Sequence, residues 1–290
     1  MRKSPRKCAS SATRCQRLAV VRQPNQDGSG SAKKLPTKFR RMFIKPKYKK
    51  VLFVPDIHAP FHDNQALRCL YSFISWWNPD EIFILGDTID FYPLSNFEKN
   101  PDRIFKLQQD INEGKAILYK IADLAPRARK VFIPGNHEYR LERFLWTKAS
   151  ELSGLDGLKL ENLLELKRIG YQYAPQGRIN YKGTIIKHGD IVRKFAGYTA
   201  KGEFENTGLS GVSGHTHRLA VHSITNEAGH FQWMEAGCLC KLEQEYMRGK
   251  TPNWQQGFGI GFYKENSRRY NIQAVRIING KAMWGGYEFL

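Results

Sequence analysis

Five short stretches of this 290-residue chain bring carboxylate, amide and imidazole groups into close spacing. They are Asp56-x-His58, Gly86-Asp87-x-x-Asp90, Gly135-Asn136-His137-Glu138, His188-Gly189-Asp190 and Gly214-His215-Thr216-His217. Carboxylates, an amide oxygen and imidazoles, with no thiolate among them, suit hard to borderline divalent cations such as Mn, Fe or Zn. There are too many candidates for one tetrahedral ion. Two ions about 4 Å apart, sharing a bridging carboxylate, would use about this number, and such a pair can clamp an oxyanion while a hydroxide between them attacks phosphorus in line. Each motif alone has a plainer reading as a turn, a helix start or an exposed pair. The joint, ordered occurrence is what points to a metal centre. His62, His222 and His230 lack such partners and read as ordinary surface or core histidines.

The elements that would position these groups follow from hydrophobic patterning. Val51 to Pro55, Glu81 to Leu85 and Lys130 to Pro134 are short apolar runs, read as buried strands that end on the first three motifs. Between them, Asn64 to Trp77 has helical spacing with Asp63 as N-cap, and Arg103 to Leu124 reads as a long amphipathic helix. This alternation implies right-handed crossovers and a largely parallel sheet, whose C-terminal strand ends are where ligands collect. Glu138 to Lys148 and residues 155–166 read as shorter helices. From Tyr171 onward the chain is strand-rich: Tyr171–Ala174, Arg178–Tyr181, Thr184–His188, Leu209–Ser213, Ala220–Ile224, Phe231–Ala236, Gly257–Tyr263, Asn271–Ile278 and Ala282–Tyr287. The expectation is one α/β domain over residues 46–290, its C-terminal half supplying a second sheet.

Composition bounds the rest. The formal charge of +19 is concentrated in residues 1–50, where 16 Lys and Arg face one acid, leaving only +4 for the remaining 240 residues. Residues 1–45 therefore read as a basic, disordered tail. Such a tail could contact nucleic acid, serve as an organellar transit peptide, or be an extension of little consequence. No segment approaches the roughly 20 apolar residues of a membrane span, and a cytoplasmic protein is expected. Five cysteines, without a C-x-x-C spacing, argue against a disulfide framework or a cysteine-based zinc site. Nothing in the sequence specifies an oligomeric state.

The five motifs, complete and in order, resemble those of the metallophosphoesterases, or calcineurin-like phosphoesterases. Gly135-Asn136-His137-Glu138 continuing into Tyr-Arg-Leu-Glu, and Phe91-Tyr92 after Asp90, look most like bacterial and phage members. The resemblance implies a four-layer α/β/β/α sandwich of two mixed sheets flanked by helices, and a hydrolase of phosphomonoesters or phosphodiesters. It implies that Asp56, His58 and His217 hold a first metal, that Asp87 bridges, and that Asn136, His188 and His215 complete a second site. Manganese is the expected ion, with iron or zinc as alternatives. His137 would stand beside the substrate, stabilising the transition state or protonating the leaving oxygen, with Asp90 orienting and charging it. Arg140 lies close enough in sequence to reach a substrate phosphate, its alternative being a solvated helix face. The serine/threonine phosphatase branch reads Arg-Gly where this chain has Phe91-Tyr92, so that branch is disfavoured. A nuclease using the same centre is the alternative function, although only 73 residues follow His217. A non-catalytic scaffold would have lost ligands, and none is substituted here.

Overall fold

In the computed structural model the apolar runs of the sequence become the middle of two stacked sheets. The structure describes residues 48–103, 106–243, 249, 251–264 and 270–290. The basic tail expected over residues 1–45 lies outside them. The described chain forms strands β1 (Tyr48–Val54), β2 (Glu81–Ile84), β3 (Arg129–Phe132), β4 (Tyr171–Tyr173), β5 (Arg178–Tyr181), β6 (Thr184–Lys187), β7 (Ser210–Ser213), β8 (Leu219–Asn226), β9 (Gly229–Ala236), β10 (Gly257–Lys264), β11 (Tyr270–Ile278), β12 (Lys281–Trp284) and β13 (Tyr287–Phe289). Its α-helices are α1 (Asn64–Trp77), α2 (Leu107–Leu124), α3 (Tyr139–Lys148), the single turn α4 (Leu160–Leu163) and α5 (Tyr198–Thr207).

One sheet has eight strands in the order β13-β12-β11-β10-β1-β2-β3-β4, the other five in the order β5-β6-β7-β9-β8. The run β1-β2-β3-β4 is parallel, and β10 joins β1 antiparallel. In the second sheet β6, β7 and β9 are parallel. Strand alternation divides the core. Leu52, Val54, Ile82, Ile84 and Phe132 face the helices, packing with Leu67, Leu70, Phe73, Ile74 and Trp77 of α1 and Ile117, Leu118 and Ile121 of α2. Val51, Phe53, Phe83, Leu85, Val131 and Ile133 face the second sheet, meeting Ile186, Val212, Met234 and Ala236. Burial on both faces is why these strands read as unbroken apolar runs. On the far side Ala200 of α5 packs on Ile185 and Trp233. The layers are therefore helix, sheet, sheet, helix, as the resemblance implied.

The sheets approach closely at Gly259, where an added Cβ would sit 2.0 Å from Met234 Cε of the facing sheet. α1 begins where expected: the Asp63 carboxylate accepts from the amides of Gln65 and Ala66 at 2.7 and 3.2 Å.

Three local expectations are corrected, and one helix was not foreseen. The long helix starts at Leu107; Pro101–Arg103 is a separate 3-10 turn. Residues 155–166 hold mostly tight turns around α4, because Leu158 and Leu163 pack only at the margin of the core. Ala282–Tyr287 is not one strand: Gly285 and Gly286, at φ 60° and 82°, reverse the chain into the β12–β13 hairpin. Helix α5 has no counterpart in the sequence reading, since its buried stripe is Thr199, Ala200, Gly202 and Glu203, small or polar residues with no apolar period.

Candidate metal centre

The C-terminal ends of β1, β2, β3, β6 and β7 bring all seven expected ligands together. Asp56 and His58 follow β1, Asp87 follows β2, Asn136 follows β3, His188 follows β6, and His215 and His217 follow β7. They fall into two groups. In Asp56, His58 and His217, one ligand atom from each lies within 4.8 Å of the others; Asp87, His188 and His215 meet the same limit. His58 Nε2 is 3.0 Å from His217 Nε2, and His217 Nε2 is 3.7 Å from Asp56 Oδ1. In the second group His188 Nε2 lies 3.2 Å from His215 Nδ1 and 2.9 Å from Asn136 Oδ1. Asp87 Oδ2 spans the two, 3.3 Å from His188 Nε2 and 3.6 Å from His58 Nε2.

The ring orientations are set from behind. His58 presents Nδ1 to Asp90 Oδ2 at 3.1 Å, and His188 presents Nδ1 to the Leu85 carbonyl at 2.8 Å. A proton on Nδ1 in each ring leaves the Nε2 lone pair aimed at its neighbours, the usual support of a metal-binding imidazole. The His215 amide donates to both Asp56 oxygens at 2.9 and 3.0 Å, and the His137 amide to Asp87 Oδ1 at 2.9 Å.

The backbone is bent to reach this arrangement. His58, Asp87, His215 and His217 all adopt positive φ, between 48° and 68°, a region that costs non-glycine residues energy and clusters at functional sites. Two motif glycines are explained by space. A Cβ on Gly135 would stand 2.2 Å from Asp87 Oδ1, and one on Gly214 would stand 2.5 Å from Asp56 Oδ2. Only glycine lets both carboxylates occupy their positions.

Burial and close charges shift the protonation states. Burial pushes the Asp56 carboxyl up to about 7, with His188 opposing and Asp87 adding to the rise. Burial also works against charge on His188, but Asp87 overcomes it and holds the ring's pKa up at about 10. Asp87 is held well below the usual carboxylate range, because His188 and His137 outweigh its burial. His215 is pushed down to about 4 by burial and then by His188; His217 is pushed well down by burial and then by His58. Neutral imidazoles beside ionised carboxylates are what a divalent cation requires. Low pKa values keep His215 and His217 neutral and Asp87 ionised. A bound cation would displace the His188 proton and hold Asp56 ionised, and by donor type and position the two groups joined by Asp87 fit two ions.

Glu138, the last residue of the third motif, is a clamp. It is buried, and its oxygens accept from the amides of Asp87 (2.8 Å), Thr88 (2.7 Å), Ile89 (3.1 Å) and Gly135 (2.8 Å). One carboxylate thus ties the loop after β2 to the loop after β3. Thr216, between the two histidines, donates to Glu235 Oε1 at 2.8 Å, and the Gly197 amide donates to Glu235 Oε2. Glu235 was missed; its signal is a carboxylate interrupting the apolar run Trp233-Met234-Glu235-Ala236.

Asp90 is the hub of the second half of the site. Its Oδ2 lies 3.1 Å from both His58 Nδ1 and His137 Nδ1. Arg140 turns inward and donates to the Asp90 carbonyl at 2.8 Å and to its Oδ1 at 3.2 Å. The other arm of the guanidinium lies 3.0 Å from His137 Nε2. Because a guanidinium only donates, His137 Nε2 accepts and the ring proton sits on Nδ1, facing Asp90. Arg140 is therefore neither a solvated face nor, in this arrangement, an outstretched arm. Asp90 is held below the usual carboxylate range: burial opposes this, and the His137 and His58 hydrogen bonds win. Asp190 stays outside the cluster, paired with Lys187 at 2.6 Å. Trp254 sits edge-on to His217 with ring centroids 4.3 Å apart. His222 and His230 lie away on the β8–β9 hairpin.

Residues 49–236 match the family model described as calcineurin-like phosphoesterase, and the chain belongs to that family. Its relatives include two proteins called Gene 54 protein. That of Mycobacterium phage D29 is 30% identical over 257 residues, covering 82% of this chain and 98% of that protein. That of Mycobacterium phage L5 is 27% identical over 246 residues, covering 80% and 95%. Among solved structures, YfcE, described as a phosphoesterase from E. coli, superposes with a TM-score of 0.33 at 13% identity, over 79% of this chain and 100% of that one. That superposition is too loose to carry weight.

Proposed function

We propose that this protein is a two-metal-dependent hydrolase of phosphate esters. The observation that carries the proposal is the pair of donor groups, one buried and one opening to solvent at His215 and Asn136, joined through Asp87 Oδ2. Asp56, His58 and His217 would hold one divalent cation, and Asn136, His188 and His215 the other, with Asp87 shared. Manganese suits the oxygen and imidazole donors, and iron or zinc would also. Such ions, when bound, supply Lewis acidity toward a phosphoryl oxygen and toward the attacking water.

The chain's own residues do the rest. Asp90 holds His137 and Arg140 side by side, so that an imidazole and a guanidinium face the place where negative charge grows. As arranged, His137 Nε2 is an acceptor from Arg140. Protonating a leaving oxygen through Nε2 requires Arg140 to turn away and the ring to carry a second proton, which Asp90 would stabilise. Arg140 then becomes available to a phosphate oxygen, to which its forked donors are suited.

A nuclease using the same centre is the second reading. It is favoured by the segment running from His188 into the first residue of α5, where exposed Phe195 and Tyr198 lie 5.4 Å apart beside Arg193 and Lys194. The Lys194 carbonyl accepts from Asn253, next to Trp254. Exposed rings among cations can stack bases and hold phosphates. The deciding experiment is a Mn-dependent panel of aryl phosphomonoester, aryl phosphodiester, single- and double-stranded DNA, and a phosphopeptide. Turnover should vanish with a chelator, return with Mn, and be absent in Asp87→Asn and His215→Ala; full activity in either variant would sink the proposal.

A further inference from the structure

Two thiols converge behind the first group of donors. Cys238-Leu239-Cys240 leaves β9 and is pinned along its backbone. Cys238 N–H donates to the Gln255 carbonyl at 3.1 Å, Leu239 N–H to the Asp56 carbonyl at 2.8 Å, and Lys241 N–H to the Phe61 carbonyl at 2.9 Å. The Gln256 amide donates to the Cys240 carbonyl at 2.9 Å. Leu239 points into the core under the helices. Its neighbours point the other way, as alternation requires, toward the His217 ring. One ligand atom from each of His217, Cys238 and Cys240 lies within 4.8 Å of the others, with Cys240 Sγ 3.9 Å from His217 Nδ1. All three residues are buried, and neither cysteine is in a disulfide.

These distances suit coordination. Zinc–sulfur bonds of about 2.3 Å and zinc–nitrogen bonds of about 2.0 Å in a tetrahedral site separate the ligand atoms by roughly 3.5 to 3.8 Å. The cluster is within a few tenths of an ångström of that spacing at the Cys240–His217 edge. Two sulfurs and one nitrogen, without a carboxylate among them, select soft or borderline ions and disfavour manganese. The sequence reading set aside a cysteine site for want of a C-x-x-C spacing. Here the spacing is C-x-C and the third donor comes from a different loop.

We infer that His217, Cys238 and Cys240 form a third cation site, for a thiophilic d10 ion such as Zn2+, that shares the His217 ring with the first hard-metal group. As the ion binds, each thiol gives its proton to solvent and each sulfur forms one bond to the metal. The ring sets a further condition. His217 Nε2 faces His58 Nε2 at 3.0 Å, while Nδ1 faces Cys240. A neutral imidazole has one lone pair. Giving it to the thiophilic ion through Nδ1 places the ring proton on Nε2 and removes His217 from the first group. The two kinds of ion therefore bind antagonistically, and each weakens the other by the same factor. The sharing of His217 rests on the proposed first metal group, whereas the thiolate site itself stands without it.

The test uses the full chain with Cys8→Ser and Cys15→Ser, stripped of metal and titrated with Cd2+ while thiolate-to-cadmium charge-transfer absorbance is followed. The expected result is one thiolate-bound cadmium per chain, lost in the further variant Cys238→Ser/Cys240→Ser, with apparent affinity weakened tenfold or more by saturating Mn2+. Equal absorbance in the two proteins, both folded by circular dichroism, would overturn the site. Cadmium binding indifferent to Mn2+ would overturn the sharing of His217. Should the double variant fail to fold, zinc-edge X-ray absorption on the parent chain decides. Two sulfur neighbours at about 2.3 Å support the site, and a shell of only nitrogen and oxygen removes it.

Discussion

Glu138 carries the heaviest structural duty of any single side chain near the centre. Its two oxygens satisfy four amides from two loops, and burial, with Asp87 adding, raises its pKa. Replacing it with Gln would turn an NH2 group toward amide donors. Glu138→Gln is expected to cost about 2 kcal/mol, the scale of hydrogen bonds to a charged acceptor, read from urea unfolding; an unchanged midpoint would show that the loops hold themselves. His188 gives a pH signature. In the metal-free protein its proton stays to about pH 10, against an ordinary value of 6.5. The folded state therefore binds an extra proton between those limits. The stability this contributes is complete below about pH 6.5 and is lost as the pH rises toward 10. Melting temperatures of chelated protein should fall through the alkaline interval, and His188→Gln should flatten the fall. A flat wild-type profile would contradict the strong His188–Asp87 pairing.

At the scale of elements, parallel strand ends converge and glycines set the gaps. The loops after β2 and β3 can touch because Gly86 meets Gly135: a Cβ on Gly86 would stand 2.5 Å from the Gly135 nitrogen. Between the sheets the same principle operates at Gly259 against Met234. Gly259→Ala would force Met234 out of its position or part the sheets, an overpacking worth about 1–3 kcal/mol. Chemical denaturation would register it, and pairing with Met234→Ala should recover part of the loss. Additive effects in that double variant would mean the sheets have room to spare.

For the whole molecule, the site ties the two sheets together. Asp56, Asp87 and Asn136 come from the eight-stranded sheet and His188, His215 and His217 from the five-stranded one. A cation bound by both would bind only the folded state, so it should stabilise the protein as a ligand does, by about 2.7 kcal/mol at a hundred times its dissociation constant. Thermal unfolding should shift upward with Mn2+ and downward with a chelator, and Asp87→Asn should abolish the response. An identical melting temperature in chelator and in excess Mn2+ would separate the fold from the metals. Among the described residues no helix is long and apolar enough to cross a membrane.

Much of this was legible in the chain. Apolar runs ending on Asp-x-His, Gly-Asp, Gly-Asn-His, His-Gly and Gly-His-x-His displayed the candidate donors, because strand burial and ligand chemistry both depend on residue type and short spacing; the family resemblance picked the seven expected as ligands. The Asp63 cap of α1 and the strands under the core were readable for the same reason. Helix α5 was not, since small and polar residues bury without leaving a period. The hairpin at Gly285-Gly286 was hidden within what looked like one strand. Only the tertiary structure could say that Glu138 bonds four amides, that Arg140 folds back onto Asp90 and His137, and that Cys238 and Cys240 meet His217. Apart from Arg140 with His137 and Glu138 with Gly135, three residues apart, those contacts join residues whose separation in the chain carries no signal. The sequence by itself determined which groups are present and that strands end on them; packing two sheets face to face decided which of them touch.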